Sequence, residues 1–409
     1  MKSPTTNHTE FTFQRLWAGV AVGLICTTWR LWFPTIADSG YPAIAFFPSL
    51  AGCPEWILDA TSFFIVAALI AIAALGNAAP ITRAGWIVVV VGLVVSFALD
   101  QHRLQPWAYQ LAIYALMFAA LDPARLRQWI IPVAASVYIY SAMGKFDFQF
   151  AHTVGQDFLA AVARPFGVNL DAIDETMRTR LALIFPATEL LAGLALLIPR
   201  IRPIAGVIIT MMHATLIAIL GPWSLDHSLG VLTWNAALMF QTYWWMIRRP
   251  IPTNFTDVNG KKQPSTHRSV LTTMVIGLVL IAPLTERWGV WDHWLSWSLY
   301  SPHTSRVDIQ VHDSATSAMN EDIVSMLEAD DDNDGWRTFP LSRWALDSRG
   351  VPVYPQSRYQ LDLAIEFAKQ QGLDRDVRAS LQSMSNRWTG TRDRKWLGGL
   401  AEMKKAKNY

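Results

Sequence analysis

The sequence predicts an all-α polytopic membrane protein: a bundle of about nine transmembrane helices, followed by a small α+β extramembrane segment. Of its 409 residues, 52% are hydrophobic and only 16% are charged, whereas soluble domains are usually about a quarter charged. The apolar residues cluster in runs that approach the ~20 residues needed to cross a bilayer. The formal net charge is only +2, so we expect the lipid bilayer, and no nucleic acid, as a partner.

Nine apolar segments are predicted to cross the membrane as helices. They are rich in Ala, Leu, Ile and Gly, and they lack the alternating pattern of an outer-membrane barrel. The predicted spans are 16–33, 57–75, 84–99, 107–121, 129–143, 181–197, 204–220, 232–247 and 270–284.

Lysine and arginine mark alternate loops, which indicates the orientation of the bundle. The loops at 34–56 and 221–231 contain neither residue, and basic residues concentrate on the cytoplasmic side of membrane proteins. We therefore expect an inner-membrane protein with a cytoplasmic tail (1–15), a transmembrane domain (16–300) and an extracytoplasmic C-terminal domain (301–409). The basic residues of the inner side are Lys2, Arg15, Arg83, Arg125, Arg127, Arg200, Arg202, Arg248, Arg249, Lys261, Lys262 and Arg268.

The C-terminal segment has mixed signals. "SRVDIQVHD" alternates like a strand, "QSRYQLDLAIEFAKQQG" predicts an amphipathic helix that ends at a glycine, and "DRDVRASLQSMSNRW" predicts a second helix. Asp330, Asp332 and Asp334 match the start of a calcium loop, but Leu341 stands where a bidentate glutamate is expected. A solvated acidic turn and a variant calcium loop both stay open, and no other metal site is predicted.

Lys145 ends an apolar helix in the stretch "YIYSAMGKFDFQF", residues 138–150. Tyr138 and Ser141 share its helical face and are placed to hydrogen-bond its amine. An apolar pocket lowers the pKa of a lysine and suits it to act as a base. A lysine at a helix end can instead snorkel toward lipid headgroups, although a lysine on the outer side is against the usual bias.

Four further polar residues lie inside predicted spans: Glu189, His213, Asn235 and Arg30. Ionisable groups within a membrane usually face the bundle interior and are often functional. Glu189 and His213 are predicted at similar depth on neighbouring helices. They therefore form either a structural pair or a proton or ligand site.

His102 lies in an outer loop, between Gln101 and Arg103 and close to Asp100. It either polarises a substrate or is a solvated loop residue. The stretches "LDQHRLQPW" and "YSAMGKFDFQF" together resemble the horizontally transferred transmembrane (HTTM) domain, the membrane part of vitamin-K-dependent γ-carboxylase and its bacterial relatives.

This resemblance implies a catalytic site at the outer face. Lys145, followed by Phe146 and Asp147, would be the base for a reduced quinone such as menaquinol or vitamin K hydroquinone, and His102 would assist. The stretch "ATELLAGLALLIPRIRPIAG" also resembles the DoxX/MauE group of redox-associated membrane proteins. The short tail differs from the large lumenal region of the carboxylase, which argues against carboxylation of protein glutamates.

Three functions compete at this point. The first is a carboxylase/epoxidase-like enzyme or quinol-linked oxidoreductase, in which Lys145 takes a proton and His102 hydrogen-bonds the oxyanion. The second is a non-catalytic redox-associated component or assembly protein that presents its tail outside. The third is a small-molecule transporter with Glu189 and His213 as a midplane relay, although no inverted repeat supports it.

Overall fold

The computed structural model describes residues 4–76, 79–248 and 267–407, and most of these are helical. The helices of eight residues or more are α1 (Pro4–Thr27), α2 (Glu55–Leu75), α3 (Ala79–Leu99), α4 (Pro106–Ala120), α5 (Pro123–Lys145), α6 (Val154–Ala163), α7 (Glu175–Ala182), α8 (Ile184–Leu196), α9 (Arg202–Leu220), α10 (Leu229–Thr242), α11 (His267–Ile281), α12 (Leu341–Arg349), α13 (Ser357–Gln370) and α14 (Gly399–Lys407). Shorter helical turns lie at Trp29–Trp32, Pro34–Ala37, Pro48–Leu50, Gln101–Arg103, Phe148–His152, Arg164–Phe166, Leu170–Ala172, Tyr243–Ile247, Ala282–Trp288, Asp313–Ala318 and Glu321–Val324.

The prediction of a membrane helix protein is confirmed. Within the described residues, five helical stretches are long and apolar enough to cross a membrane. The other four predicted spans also fall on helices, α1, α4, α5 and α10, but these are shorter or more polar; α4, for example, has only 15 residues. The five stretches are Glu55–Leu75, Pro80–Leu99, Glu175–Leu196, Arg202–Leu220 and Ser269–Trp288.

Close packing of α8 along α5 is made possible by Gly193. A Cβ atom at this position would lie 2.9 Å from Cβ of Tyr138 and 3.1 Å from Cγ1 of Ile139. A larger residue would therefore push the two helices apart. Glu189 lies one turn before Gly193 and on the same helical face, so this approach brings its side chain onto α5.

The C-terminal segment contains a four-stranded antiparallel sheet with the order β2-β1-β3-β4. Its strands are β1 (Arg306–His312), β2 (Trp336–Phe339), β3 (Val377–Gln382) and β4 (Arg394–Gly398). The predictions of a strand at β1 and of an amphipathic helix at α13 are confirmed.

The predicted helix in "DRDVRASLQSMSNRW" is wrong, because this stretch contains β3. Val377 and Ala379 face the core, and β3 hydrogen-bonds to β1 on one side and to β4 on the other. The local sequence carries no sign of these distant partners, and strand formation depends strongly on such partners.

The C-terminal segment is docked on one end of the helix bundle. Its core includes Tyr41, Leu104 and Trp294, which belong to the bundle's loops. The hydroxyls of Tyr41 and Tyr359 lie 3.2 Å apart. The loop at 100–105 and the C-terminus of α5 lie at this same end, so the tail covers the region from which the sequence predicts the site.

Two predicted inner-side groups make contacts elsewhere on the bundle. Arg127 on α5 forms an ion pair with Glu10 on α1. Nε of Arg15 donates to the carbonyl of Ala73, 2.9 Å away. Lys2, Arg249, Lys261 and Lys262 lie outside the described residues.

Candidate functional site

A cavity of about 630 Å³ lies within the bundle, lined mainly by α5, α8, α9 and α10. Most of its wall is apolar, built from Ile, Leu, Val, Met, Phe and Trp side chains. Six residues singled out from the sequence line this one cavity: Tyr138, Ser141, Lys145, Glu189, His213 and Asn235.

Lys145 and Glu189 form a buried ion pair at the cavity wall. Nζ of Lys145 lies 2.6 Å from Oε2 of Glu189 and donates to Oγ of Ser141 at 2.8 Å. Only 6% of Lys145 and 8% of Glu189 are exposed. The hydrogen bond to Ser141 confirms the predicted helical face, and the snorkelling interpretation of Lys145 is wrong because its amine is buried.

His213 belongs to a second polar group in the same cavity. Nδ2 of Asn235 donates to the carbonyl of Val231, so its Oδ1 faces Nδ1 of His213 at 2.8 Å. Nδ1 therefore carries the proton, and Nε2 accepts from the hydroxyl of Tyr138 at 3.2 Å. The suggested Glu189–His213 pair is wrong, since each residue has different partners.

Tyr138 does not hydrogen-bond Lys145 as the shared helical face suggested. Its hydroxyl lies 3.2 Å from Nε2 of His213 and 3.4 Å from Oγ1 of Thr242. The two polar groups thus occupy successive turns of α5: Lys145 with Ser141 nearer the helix end, and Tyr138 deeper in the bundle. Both groups line the same cavity.

Two arginines hold the C-terminus of α5 and thereby fix Lys145. Nη2 of Arg287 lies 3.1 Å from the carbonyls of both Met143 and Gly144. Nε of Arg387 donates to the carbonyl of Phe146 at 2.6 Å. Cationic side chains satisfy the free carbonyls of a helix C-terminus and interact favourably with its dipole.

Asp147 supports this helix end and is absent from the cavity wall. Its carboxylate accepts from the amide of Gln149 at 2.8 Å and lies 3.4 Å from Nη1 of Arg287. It therefore starts the turn at Phe148–His152 and holds the arginine that caps α5. Its role in the described structure is positional.

His102 is fully buried, and the structure does not bring it into the cavity with Lys145. Its Nε2 donates to the carbonyl of Pro352, 2.8 Å away, and Pro352 in turn lines the cavity. The centroid of its ring lies 5.3 Å from that of Tyr41 and 5.7 Å from that of Tyr359. Burial lowers the pKa of His102 to about 4, so the ring is neutral.

The residues around His102 join the loop to the tail and the bundle. The fully buried guanidinium of Arg103 donates to the carbonyls of Trp32 at 2.8 Å and Leu58 at 3.2 Å. Oδ2 of Asp100 lies 3.9 Å from both Arg103 and Arg349.

Gln101 extends the same junction. Its Nε2 donates to the carbonyl of Ala45 at 2.9 Å, and its Oε1 accepts from Arg358 at 3.0 Å. The solvated-loop interpretation of His102 is wrong, because the whole loop is enclosed between the bundle and the tail.

The acidic turn in the tail has partners within the protein. Asp330 accepts from the amides of Asp334 at 3.2 Å and Gly335 at 2.9 Å. Asp334 forms an ion pair with Arg378 at 2.7 Å. The carboxylates of Asp330, Asp332 and Asp334 all approach within 4.8 Å of one another, so the acidic turn and the variant calcium loop both stay open.

Sequence reasoning missed the aromatic residues that close the cavity. Trp234, Trp294 and Tyr300 line it, and Nζ of Lys145 lies 6.0 Å from the centroid of the Tyr300 ring. Tyr300 has a positive φ of 55°. The many aromatic residues in "WDHWLSWSLY" indicate a buried or binding segment. That this segment packs toward Lys145 depends on tertiary structure.

The chain matches no protein-family model, no curated protein and no solved structure. Its function must therefore be argued from the cavity and its polar groups.

Proposed function

We propose that the chain is an inner-membrane protein of about nine spans, with its N-terminus inside and its tail outside. Its bundle cavity binds a quinone-type lipid, and the Lys145–Glu189 pair takes a proton from a hydroxyl of the reduced form. The observation that carries this proposal is the buried 2.6 Å contact between Lys145 and Glu189 on the wall of a mostly apolar cavity.

The size and lining of the cavity suit such a ligand. Small-molecule pockets usually measure about 300–1,000 Å³ and combine an apolar wall with a few polar groups, and this cavity of about 630 Å³ has both features. A reduced quinone presents an apolar ring and tail together with two hydroxyls. Each hydroxyl can hydrogen-bond one of the two polar groups of the cavity, the first at Lys145 and the second at Tyr138 and His213.

The outer surface of the bundle offers a route of entry. Ile184, Ile208 and Met211 line the cavity and are also exposed, with Met211 66% exposed. In a membrane these side chains contact lipid. A lipid-soluble ligand can therefore enter from the bilayer between α8 and α9 without passing through water.

The ion pair can supply a base without a change in the net charge of the buried pair. Moving one proton from Lys145 to Glu189 gives a neutral amine and a neutral acid, so the net charge of the pair stays zero. The neutral amine then takes the proton of the quinol hydroxyl, which leaves an ammonium beside the new quinolate oxygen. Opposite charges in a low-dielectric site attract strongly.

His102 takes no part in this step. Its ring donates to the carbonyl of Pro352, and its own carbonyl accepts from Nε2 of Gln105. Both neighbours line the cavity, so His102 supports the wall. This differs from the role that the family resemblance implies for it.

A non-catalytic ligand site is the second candidate, and one observation favours it. The amine of Lys145 is already paired with Glu189 and Ser141, as expected of a lysine retained to order a binding pocket. Such a protein would bind the quinol and leave it protonated.

The test uses full-length protein in detergent with menadiol, a short reduced naphthoquinone. Binding is measured as quenching of tryptophan fluorescence, since Trp234 and Trp294 line the cavity. Turnover is measured as oxidation of the quinol in air. The variant is Lys145→Met. Its matched control is Lys369→Met, which removes an exposed lysine that also lies 2.6 Å from a glutamate.

We expect wild type and Lys369→Met to bind and oxidise menadiol, and Lys145→Met to bind it with turnover at least tenfold lower. Binding without turnover in wild type would favour the non-catalytic site. Full turnover in Lys145→Met, or no binding in wild type, would contradict the proposal.

A further inference from the structure

Three buried residues with metal-binding side chains meet outside the cavity, between α11 and β1. Glu286, His293 and His303 are 4%, 4% and 2% exposed. Oε1 of Glu286 lies 2.8 Å from Nδ1 of His293 and 2.8 Å from Nε2 of His303. The three atoms all lie within 4.8 Å of one another.

The hydrogen bonds of Ser301 show which nitrogen of His303 carries its proton. The hydroxyl of Ser301 donates to the carbonyl of Gly144 at 2.6 Å, so its oxygen must accept from Nδ1 of His303, also at 2.6 Å. In a neutral ring, Nε2 then presents a lone pair to the carboxylate of Glu286. Two acceptors at 2.8 Å repel each other unless a proton or a metal ion lies between them, and a metal ion satisfies both histidines and the carboxylate at once.

We propose that Glu286, His293 and His303 bind a divalent transition-metal ion. Two imidazole nitrogens and one carboxylate oxygen form the donor set of many zinc and non-haem iron(II) sites. Metal bonds of about 2.1 Å place neighbouring ligand atoms about 3.0 Å apart at octahedral angles and about 3.4 Å apart at the tetrahedral angles that zinc prefers. The two separations of 2.8 Å from Oε1 of Glu286 are shorter than these values, and all three ligand atoms lie within 4.8 Å of one another. Side-chain rotations therefore have to open the cluster to admit the ion.

The surroundings provide the supports that such a site needs. A histidine ligand usually donates its other nitrogen to a neighbouring acceptor, which orients the ring, and His303 does so to Ser301. The hydroxyl of Ser301 in turn donates to the carbonyl of Gly144, the residue before Lys145. The ion would therefore help to hold the end of α5.

A second cavity leaves room for a further ligand on the ion. His303 lines this cavity of about 550 Å³ together with Arg287, Arg387 and Arg392. Catalytic zinc sites likewise combine three protein ligands with one open position. The arginines favour water or a small anion at that position.

A hydrolase triad of Ser301, His303 and Glu286 fits less well. The hydroxyl of Ser301 is buried and already donates to the carbonyl of Gly144. It is also absent from the wall of the second cavity. A nucleophile needs access to its substrate, whereas a ligand-orienting residue does not.

No short sequence motif marks this cluster, because its members are far apart along the chain. Glu286 is 7 residues from His293 and 17 residues from His303. Neither separation matches a short metal-binding motif such as H-E-x-x-H. Only the folding of the loop between α11 and β1 brings them together.

The test measures zinc in full-length protein that has been treated with a chelator, reloaded with Zn²⁺ and passed through a desalting column. The variants are His293→Gln and His303→Gln. The matched control is His152→Gln, which removes an exposed histidine whose ring bonds the backbone carbonyl of Phe148 and stacks on the ring of the same residue. We expect about one zinc per chain in wild type and in the control, and at least a tenfold loss of affinity in both variants.

A second measurement, on wild type alone, keeps the proposal testable if the variants fail to fold. The X-ray absorption spectrum of zinc-loaded wild type should show two imidazoles and oxygen, and no sulfur. Zinc that is absent from wild type, that persists in both variants, or that shows only oxygen ligands, as on the Asp330 turn, would overturn the proposal.

Discussion

Nζ of Lys145 lies 2.6 Å from Oε2 of Glu189, and the contact joins α5 to α8 inside the bundle. Removing one partner of a buried ion pair leaves an uncompensated charge and commonly costs about 3–5 kcal/mol. Replacing both partners by apolar residues is often neutral. Single and double variants of this pair can therefore distinguish its effect on stability from its effect on function.

Glu189→Leu should lower the free energy of unfolding by about 3 kcal/mol, because Lys145 is left buried without its counter-ion. The double variant Glu189→Leu/Lys145→Met should recover most of that loss. Thermal unfolding in detergent measures both effects.

The double variant should nevertheless have no quinol turnover, since the base is gone. Glu366→Leu, which breaks the exposed pair with Lys369, serves as the control and should change stability by less than about 1 kcal/mol. If the double variant is no more stable than Glu189→Leu, the loss of stability does not come from an uncompensated charge on Lys145.

Gly193→Ala should destabilise the bundle by about 1–3 kcal/mol. Its new Cβ would lie 2.9 Å from Cβ of Tyr138, so α8 must shift away from α5. The shift moves Glu189 from Lys145, and menadiol binding should weaken as well.

Gly277→Ala is the matched control, because among the described residues no atom beyond this helix's own nearby backbone lies within 4 Å of an added Cβ. Alanine is the better helix former by about 0.5–1 kcal/mol, so this variant should be neutral or slightly more stable. Equal behaviour of the two alanine variants in unfolding and ligand binding would contradict the close approach at Gly193.

The stability of the tail junction should fall as the solution is acidified. Burial lowers the pKa of His102 from about 6.5 to about 4, so below pH 6.5 the unfolded chain binds a proton that the folded chain does not. This contribution is fully present above pH 6.5 and is lost between pH 6.5 and 4, by at most about 1.4 kcal/mol per pH unit.

Unfolding measured across this pH range should therefore show a shallower slope in His102→Gln than in wild type. The exposed His152→Gln serves as the control and should keep the wild-type slope. Identical slopes in wild type and His102→Gln would mean that His102 does not titrate as a buried neutral ring.

Arg349→Met should loosen the tail from the bundle. Arg349 is fully buried, donates to the carbonyl of Tyr41 at 2.9 Å and lies 3.9 Å from Asp100. Its loss leaves Asp100 with a single arginine nearby, and limited proteolysis should cut the tail junction at least tenfold faster.

The control is Arg343→Met on the same helix, α12. Arg343 is exposed and pairs only with Asp347, at 3.7 Å, and exposed pairs contribute little. Its proteolysis rate should match wild type. A wild-type rate in Arg349→Met would place the main docking energy in the apolar core instead.

The sequence predicted those features that depend on local periodicity. The membrane helices follow from apolar runs, and the contact of Lys145 with Ser141 follows from the spacing of one helical turn. The strand β1 follows from its alternation, since Val307, Ile309 and Val311 are all buried.

Features that depend on distant packing were not predictable in this way. The partner of Lys145 is set by the approach of α8 at Gly193, and β3 is set by strands on both sides. His102 resembled a solvent-exposed loop residue because the tail that buries it lies some 250 residues along the chain.

The most direct test of the central claim is the ultraviolet absorption spectrum of menadiol bound, without oxygen, to wild type and to Lys145→Met. Deprotonation of the bound quinol gives the distinct spectrum of the anion. We predict the anion spectrum in wild type and the neutral quinol spectrum in Lys145→Met. A bound quinol that stays neutral in wild type, or an anion that forms equally in Lys145→Met, would contradict a role for the Lys145–Glu189 pair as the base.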